Sequence, residues 1–378
     1  MKIALLGNTG WYLYNFRRSL AVALRDAGHD VVLLSPPCAY GEKLQALGFR
    51  WLPVPMRRPS LNPLRELALL FRLWRMLRRE RPDVVHGFTI KCAVYGALVG
   101  RLVGAARINA VAGMGYVFIS DSAKARLLRP AVRALMRAAL GGPRARLILQ
   151  NVDDVRFFEQ AGIVPLQQIR LVPGSGVDCF RFAPPLDDRG AEQRPTRVVL
   201  AARLLWDKGL AEFVDAARII KSQNRSVCFV LAGAPDPGNP ASASERTIRA
   251  WQAEGLVQWL GHVSDMPALL AGADIVVLPS YREGLPKSLI EAAACARPLI
   301  TTDVPGCRAV VTHGVDGLLV PARDARALAG AIACLQDDPA LARRLGLAAR
   351  EKALAEFDER IVIARTLAVY GEVAEPAI

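Results

Sequence analysis

The chain has 378 residues, 52% of them hydrophobic and 22% charged, with a formal net charge of +14. Such a length and apolar share suit two globular domains and exclude a disordered or fibrous chain. No run of 18 or more apolar residues occurs, so no membrane-spanning helix is expected, and the start MKIALLGN reads as a first strand, too short for a signal peptide.

In chain order, residues 2–6 read as a strand, 16–27 as a helix closed by Gly28, and 31–35 as the next strand. A helix over 63–79, a strand over 84–86, a helix over 91–103 and a strand over 107–111 follow. Residues 123–140 form a basic helical stretch, expected to kink or break at Pro130. A strand at 147–150, a helix at 153–160 and residues 169–172 close this half. The polar, proline-bearing stretch 183–195 has no period and suits a linker. The alternation then restarts, with strands at 197–201, 227–232, 257–260, 275–278, 298–301 and 318–320. Helices are expected between them at 209–221, 242–254 and 266–271, and at the end at 325–335, 339–357 and 359–373. Short apolar strands alternating with helices predict an α/β chain with two doubly wound parallel sheets. The expected division is a first domain over 1–182, a linker over 183–196, a second domain over 197–357, and a C-terminal helix over 358–378 that packs back on the first domain. Ligands of such sheets bind at the strand C-termini, so a cleft between the two domains is expected to hold the substrates.

Residues 279–321 read PSYREGLPKSLIEAAACARPLITTDVPGCRAVVTHGVDGLLVP. Glu283 and Glu291 sit eight positions apart and straddle a predicted helix start. Pro286 is expected in the first turn of that helix, where its missing N–H costs nothing. The next amides, of Lys287 and Ser288, then lack intrahelical partners, and with the helix dipole they make a phosphate cradle beside Gly284 and Leu285. One carboxylate thus lies before the cradle and the other lies behind it. A ligand with phosphate in its middle and hydroxyls at both ends fits, and a nucleotide sugar is such a ligand. A glycosidase pair would instead flank a single bond.

The charge is uneven. Residues 1–180 hold 26 Lys+Arg and 11 Asp+Glu, giving +15, whereas 181–378 hold 23 and 24, giving −1. A basic half implies a polyanionic partner: anionic lipid, nucleic acid or a diphosphate. The seven cysteines are scattered and form no CxxC, which suits reduced thiols in a cytoplasmic protein.

At this point the sequence resembles the family 4 glycosyltransferases, retaining enzymes of the GT-B type with two facing Rossmann-like domains. Glu283 and Glu291 match the family's E-x7-E pattern, the segments RPLITTDVPGCRAVV and HGVDGLLVP follow as in the family, and Arg203 and Lys208 match its basic pair. NTGWYLYNFRRSL, INAVAGMGYVF, QNVDDVRFF and LVPGSGVD are similar to bacterial N-acetylhexosaminyltransferases acting on undecaprenyl-diphosphate-linked sugars. Many members carry a His before the glycine where Ala112 precedes Gly113, so no role for that His carries over.

The resemblance implies a UDP-sugar donor, a lipid-linked saccharide acceptor and no cofactor. It implies that Arg203 and Lys208 grip the diphosphate, where fixed cations stabilise the charge growing on the leaving group. By the same resemblance Glu283 contacts the donor sugar, Glu291 accepts hydrogen bonds from the ribose, and the backbone near Val263 meets the base, with no firm role for the His262 side chain. Gly7, Asn8, Thr9 and Gly10 follow the first strand without a GxGxxG, and the resemblance favours contact with phosphate or acceptor over a plain turn. No Asp-x-Asp occurs, so metal-independent transfer is expected.

Two features point to a membrane surface. Trp11, Tyr12, Leu13 and Tyr14 suit either a lipid interface or the core. In residues 64–79, Arg72, Arg75 and Arg79 share one helical face and Leu70, Leu73, Trp74 and Leu77 lie largely opposite, which fits an interfacial helix or a surface helix with a core stripe. The expected location is cytoplasmic, peripheral on the inner face of the membrane. His86 reads as structural. A UDP-sugar 2-epimerase on the same fold is the rival enzyme class. Specific nucleic-acid binding is not expected, because no motif for it occurs.

Overall fold

A computed structural model describes residues 1–56, 62–112, 123–185, 194–236 and 238–374. The chain divides into two compact units: Met1–Ser175 with Arg360–Ile378, and Gly176–Glu359. The first crossing falls at Ser175, ahead of the expected residue 182. Val177 bridges to Asp358, and Cys179 and Phe182 are buried in the core of the second unit, so that stretch belongs there. Most of the expected linker, 186–193, lies outside the described residues.

The first unit holds a parallel sheet of β1 (Lys2–Leu6), β2 (Asp30–Ser35), β3 (Arg50–Pro53), β4 (Val84–Phe88), β5 (Ala106–Ala110), β6 (Ala145–Leu149) and β7 (Ile169–Leu171). Their spatial order is β3-β2-β1-β4-β5-β6-β7. Helices α1 (Gly10–Phe16), α2 (Arg18–Asp26), α3 (Ala39–Ala46), α4 (Pro63–Glu80), α5 (Ile90–Leu102), α6 (Ala123–Leu140) and α7 (Val152–Gln160) connect the strands. After Lys2, β1 is apolar and buried, Ile3 to Leu6, because both faces are covered. Ile3 and Leu5 join a cluster with Leu20 and Leu24 of α2, while Ala4 and Leu6 join Leu69, Leu73 and Leu77 of α4.

The edge strand β3 and helix α3 were not expected. Strand β3, RWLP, is only half-buried and carries no alternation. Helix α6 runs on through Pro130 rather than ending there.

The C-terminal helix falls within this first unit. Glu372 accepts from Arg146 Nε and Arg170 Nη2, both at 2.6 Å, and Tyr370 packs in the core with its hydroxyl 2.7 Å from His86 Nδ1. Burial, with the Arg17 charge nearby, holds the His86 pKa well below its ordinary value, so His86 is a neutral core histidine.

The second unit repeats the plan with β8 (Thr196–Ala201), β9 (Val227–Ala232), β10 (Gln258–Gly261), β11 (Ile275–Leu278), β12 (Leu299–Thr302) and β13 (Leu318–Val320), ordered β10-β9-β8-β11-β12-β13. Val198 and Leu200 face Phe213 and Ile220 of α8 (Leu210–Ser222), and Val199 faces the opposite cluster with Leu289 and Ala293 of α11 (Lys287–Ala294). Helices α9 (Glu245–Ala253), α10 (Met266–Ala271), α12 (Cys307–Val310), α13 (Ala325–Asp337) and α14 (Pro339–Lys352) complete it. The expected helix over 339–357 ends at Lys352 and passes into a turn of π-helix, Ala353–Phe357. Helix α15 (Glu359–Ala374) carries the C-terminal contacts described above.

Candidate active site

Strand order reverses between β8 and β11 in the second unit and between β1 and β4 in the first. The carboxyl ends of the strands on either side of such a reversal are where open α/β sheets place ligands. Most of the residues singled out from the sequence fall there.

In the second unit, two loops meet. The loop after β8 carries Arg203 and Lys208, and the loop after β11 carries Ser280 to Pro286. Gly209 makes their approach possible. It adopts φ +75°, and a Cβ there would lie 2.1 Å from the Pro279 carbonyl oxygen. The Tyr281 N–H then donates to the Asp207 carbonyl at 2.9 Å, tying one loop to the other. Lys208 Nζ donates to Glu283 Oε1, and Ser280 Oγ donates to the same oxygen at 2.7 Å. Gly306, at φ +82°, holds the Glu283–Gly284 backbone from beyond. A Cβ on it would lie 2.5 Å from the Glu283 carbonyl oxygen.

Arg203 is placed differently. Its Nη1 donates to Asp236 Oδ2 at 2.8 Å, and the Asp236 amide is fixed by Ser242 Oγ at 2.9 Å. Pro286 is the N-cap of α11, with ψ 104°, not its first helical residue. Its carbonyl accepts the amides of Leu289 and Ile290, which leaves Lys287 and Ser288 as the first two helical residues. The Ser288 amide has no partner among the described residues. Glu291 lies one turn on, its Oε1 3.7 Å from Lys287 Nζ. Burial pulls its carboxyl above the ordinary range, against the pull of Lys287 and Arg181. Leu285 is half-buried against the second unit's core, as is Val263, which follows β10 at the same edge of the sheet.

Sequence reading missed Ser280, Asp236, Gly209, Gly306 and the Tyr281 hydroxyl, which donates to both oxygens of Glu212 at 2.9 and 3.0 Å under the Arg323 guanidinium. The glycines carried a signal, each following a charged or proline residue in a motif loop. Asp236 carried none, since it lies 33 positions from Arg203.

In the first unit, Gly7 to Gly10 follow β1. A Cβ on Gly7 would lie 2.6 Å from Leu13, and one on Gly10 would lie 2.5 Å from Cys38 Sγ, so both glycines serve the packing of α1. Thr9 caps α1 by accepting the Tyr12 amide at 3.0 Å. Of the four, Asn8 is the side chain without a hydrogen bond among the described residues. Across the switch point, Thr89 holds φ +71°, a strained backbone for a β-branched residue and one that no sequence pattern announced. The aromatic cluster splits: Leu13 is core, Tyr12 stacks on Phe16, Tyr14 packs on Tyr40, and Trp11 remains 41% exposed. Ala112 is exposed, and Gly113 lies outside the described residues.

Comparison with known proteins gives matches over both units. The family model for glycosyl transferases group 1 matches residues 195–338, and the glycosyl transferase 4-like model matches residues 2–151. The N,N'-diacetylbacillosaminyl-diphospho-undecaprenol alpha-1,3-N-acetylgalactosaminyltransferase of Campylobacter jejuni is 30% identical over 99% of this chain and 99% of its own. The UDP-Gal:alpha-D-GlcNAc-diphosphoundecaprenol alpha-1,3-galactosyltransferase of Escherichia coli is 25% identical over 76% of this chain and 75% of its own. Among solved structures, Anabaena HepE in complex with UDP and glucose superposes with a TM-score of 0.81 at 20% identity, covering 98% of this chain and 99% of its own. Two domain models, one in each unit, and a relative matched from end to end therefore place the protein: the chain belongs to the family 4 glycosyltransferases of the GT-B type.

Proposed function

We propose that this glycosyltransferase moves an N-acetylhexosamine, of the GalNAc or GlcNAc type, from a UDP-sugar to a saccharide on a polyprenyl diphosphate, with retention at the anomeric carbon and without a metal. The observation that carries the reading is the meeting of Lys208, Ser280 and Glu283 at the switch point, beside Arg203 and the first turn of α11. A lysine ammonium has three N–H donors, and Glu283 occupies one, which leaves two for phosphate oxygens. Arg203 spends Nη1 on Asp236, so its Nε–Nη2 edge keeps the fork that matches a phosphate. Glu283 Oε1 is already taken twice, and Oε2 is the oxygen offered to a donor-sugar hydroxyl. A carboxylate held in that way is a poor nucleophile. The departing diphosphate oxygen then takes the acceptor's proton on the face it leaves, which gives retention. The two curated relatives supply the acceptor class, since both are named for diphosphoundecaprenol-linked substrates.

The test is a panel of UDP-sugars with a short polyprenyl-diphosphate saccharide, with and without EDTA, and NMR of the product's anomeric centre. Transfer from a UDP-N-acetylhexosamine, unchanged by EDTA, is expected. A folded protein that takes up no UDP in calorimetry sinks the reading.

We infer further that the protein sits peripherally on the inner face of the cytoplasmic membrane, docked through α4. No helix of the described residues is long and apolar enough to cross a membrane. Leu69, Leu73 and Leu77 of α4 face the core, and Leu64, Leu67 and Phe71 are 78%, 62% and 57% exposed. Both glutamates of α4 are engaged, Glu66 by Lys91 and Tyr95 and Glu80 by Lys2 and Arg50. Arg65, Arg72, Arg75, Arg78 and Arg79 make no ion pair among the described residues. Phe71, Trp74, Arg75, Met76, Arg78 and Arg79 line a groove of about 580 Å³. Exposed apolar side chains among unpaired arginines suit anionic lipid, at about 1 kcal/mol per arginine. Vesicles containing phosphatidylglycerol should sediment the protein, and neutral vesicles should not. Leu67→Ser with Phe71→Ser should lower the partition about 100-fold or more, since each buried apolar side chain contributes about 1.5 kcal/mol or more. Equal binding to both vesicle types would refute the docking.

A further inference from the structure

At the opposite edge of the first unit's sheet, Arg107 stands near the N-terminal end of β5 and is 5% exposed. Its guanidinium makes no hydrogen bond or ion pair among the described residues, and Nη1 is fully buried. A guanidinium taken out of water without a partner costs several kcal/mol. The charges nearest to it are of its own sign: burial first, then Arg101 and Arg144, pull its pKa below the ordinary value. Asn109 lies two residues on, on the same face of the strand. It donates to the Leu140 carbonyl at 3.4 Å and leaves Oδ1 buried and unpartnered.

Both orphaned atoms belong to side chains that reach the same segment at the end of α6. A Cβ on Gly142, at φ +124°, would lie 2.8 Å from Arg107 Nη2, and one on Gly100 of α5 would lie 3.2 Å from Arg107 Cγ. Two glycines thus make room for one arginine. Arg144 holds the neighbouring turn by donating to the Gly104 carbonyl at 3.2 Å, and its own carbonyl accepts the Arg107 amide at 2.9 Å. Arg101 is exposed at the C-terminal end of α5.

We propose that Arg107, Asn109, Arg101 and Arg144 form a binding site for a small phosphate anion, distinct from the donor site of the second unit. The arginines supply charge and N–H donors. Asn109 Oδ1 needs a donor in return, and a hydrogen-bearing phosphate has a P–OH to give, whereas sulfate at neutral pH has none. The site therefore prefers phosphate to sulfate.

Thermal unfolding of the full chain in sodium phosphate, sodium sulfate and sodium chloride at equal ionic strength tests the site. A saturable rise of Tm is expected with phosphate, a smaller one with sulfate and none with chloride. Arg107→Met should lose the phosphate response, and in phosphate-free buffer it should melt higher than the wild type. Arg101→Gln, on an exposed side chain, should need roughly three to ten times more phosphate for half the response, and it decides the matter alone should the Met variant fail to fold. Arg203→Ala separates the two sites, because its response to phosphate should remain. Phosphate acting no better than chloride, an undiminished response in the Arg107 and Arg101 variants, or a response lost in Arg203→Ala would each overturn the proposal.

Discussion

Lys208→Ala is expected to lower kcat/KM for sugar transfer by about 10² to 10³, the loss seen when one fixed donor to a developing charge is removed. Glu283→Ala should cost a similar factor, yet the two should differ in binding. Lys208 is placed for the diphosphate, so its loss should weaken UDP severalfold in calorimetry. Glu283 is placed for the sugar, so its loss should leave UDP affinity nearly unchanged while transfer falls. Both side chains are mostly buried and share one contact, so the double variant should be little worse than either single one. The fold should survive in each case. Neither residue is part of the apolar clusters on the two faces of the sheet, and the loops they tie are also joined by the Tyr281 amide and by the close approach of Gly209. Full activity in either single variant would remove that residue from the mechanism.

What the sequence disclosed here, and what it withheld, divides by physical cause. Strand β11 is apolar from end to end, and β1 from Ile3 onward, because both faces are buried, and a run of that kind is readable without a structure. The straddling of a helix start by Glu283 and Glu291 was readable because it is local. Asp236 was not, because its pairing with Arg203 depends on how β8 and β9 lie side by side. Strand β3 was hidden because an edge strand needs only half a face of apolar residues. The place of Pro286 was misread by one position. A proline at the cap and one in the first turn look alike in sequence, and only its extended ψ distinguishes them. The outward side of α4 was left open between lipid and solvent for a related reason: a helical wheel locates the buried stripe but says nothing of which arginines find carboxylates.

Glu291→Gln is expected to move stability and binding in opposite directions. Burial raises the Glu291 carboxyl above its ordinary pKa, more than Lys287 and Arg181 lower it. A carboxyl whose folded pKa exceeds its unfolded one is stabilising only while protonated, and that contribution disappears as pH rises through the folded value. At neutral pH the ionised Glu291 therefore costs stability. The glutamine variant should melt higher than the wild type at pH 7 to 8, and the difference should close as pH falls below the unfolded value of about 4.5. The same change removes a charged acceptor. If Glu291 meets the ribose hydroxyls, UDP should bind about tenfold more weakly or worse, since a hydrogen bond to a charged group is worth about 1.5–3 kcal/mol. Because the ribose does not react, KM should rise while kcat stays near the wild-type value. A glutamine variant that melts lower at neutral pH would show the carboxylate to be a structural anchor. One that binds UDP unchanged would remove the ribose contact. A buried carboxylate that weakens the fold and tightens the ligand is what a binding site predicts, because the ligand supplies the hydroxyls that the ligand-free protein does not.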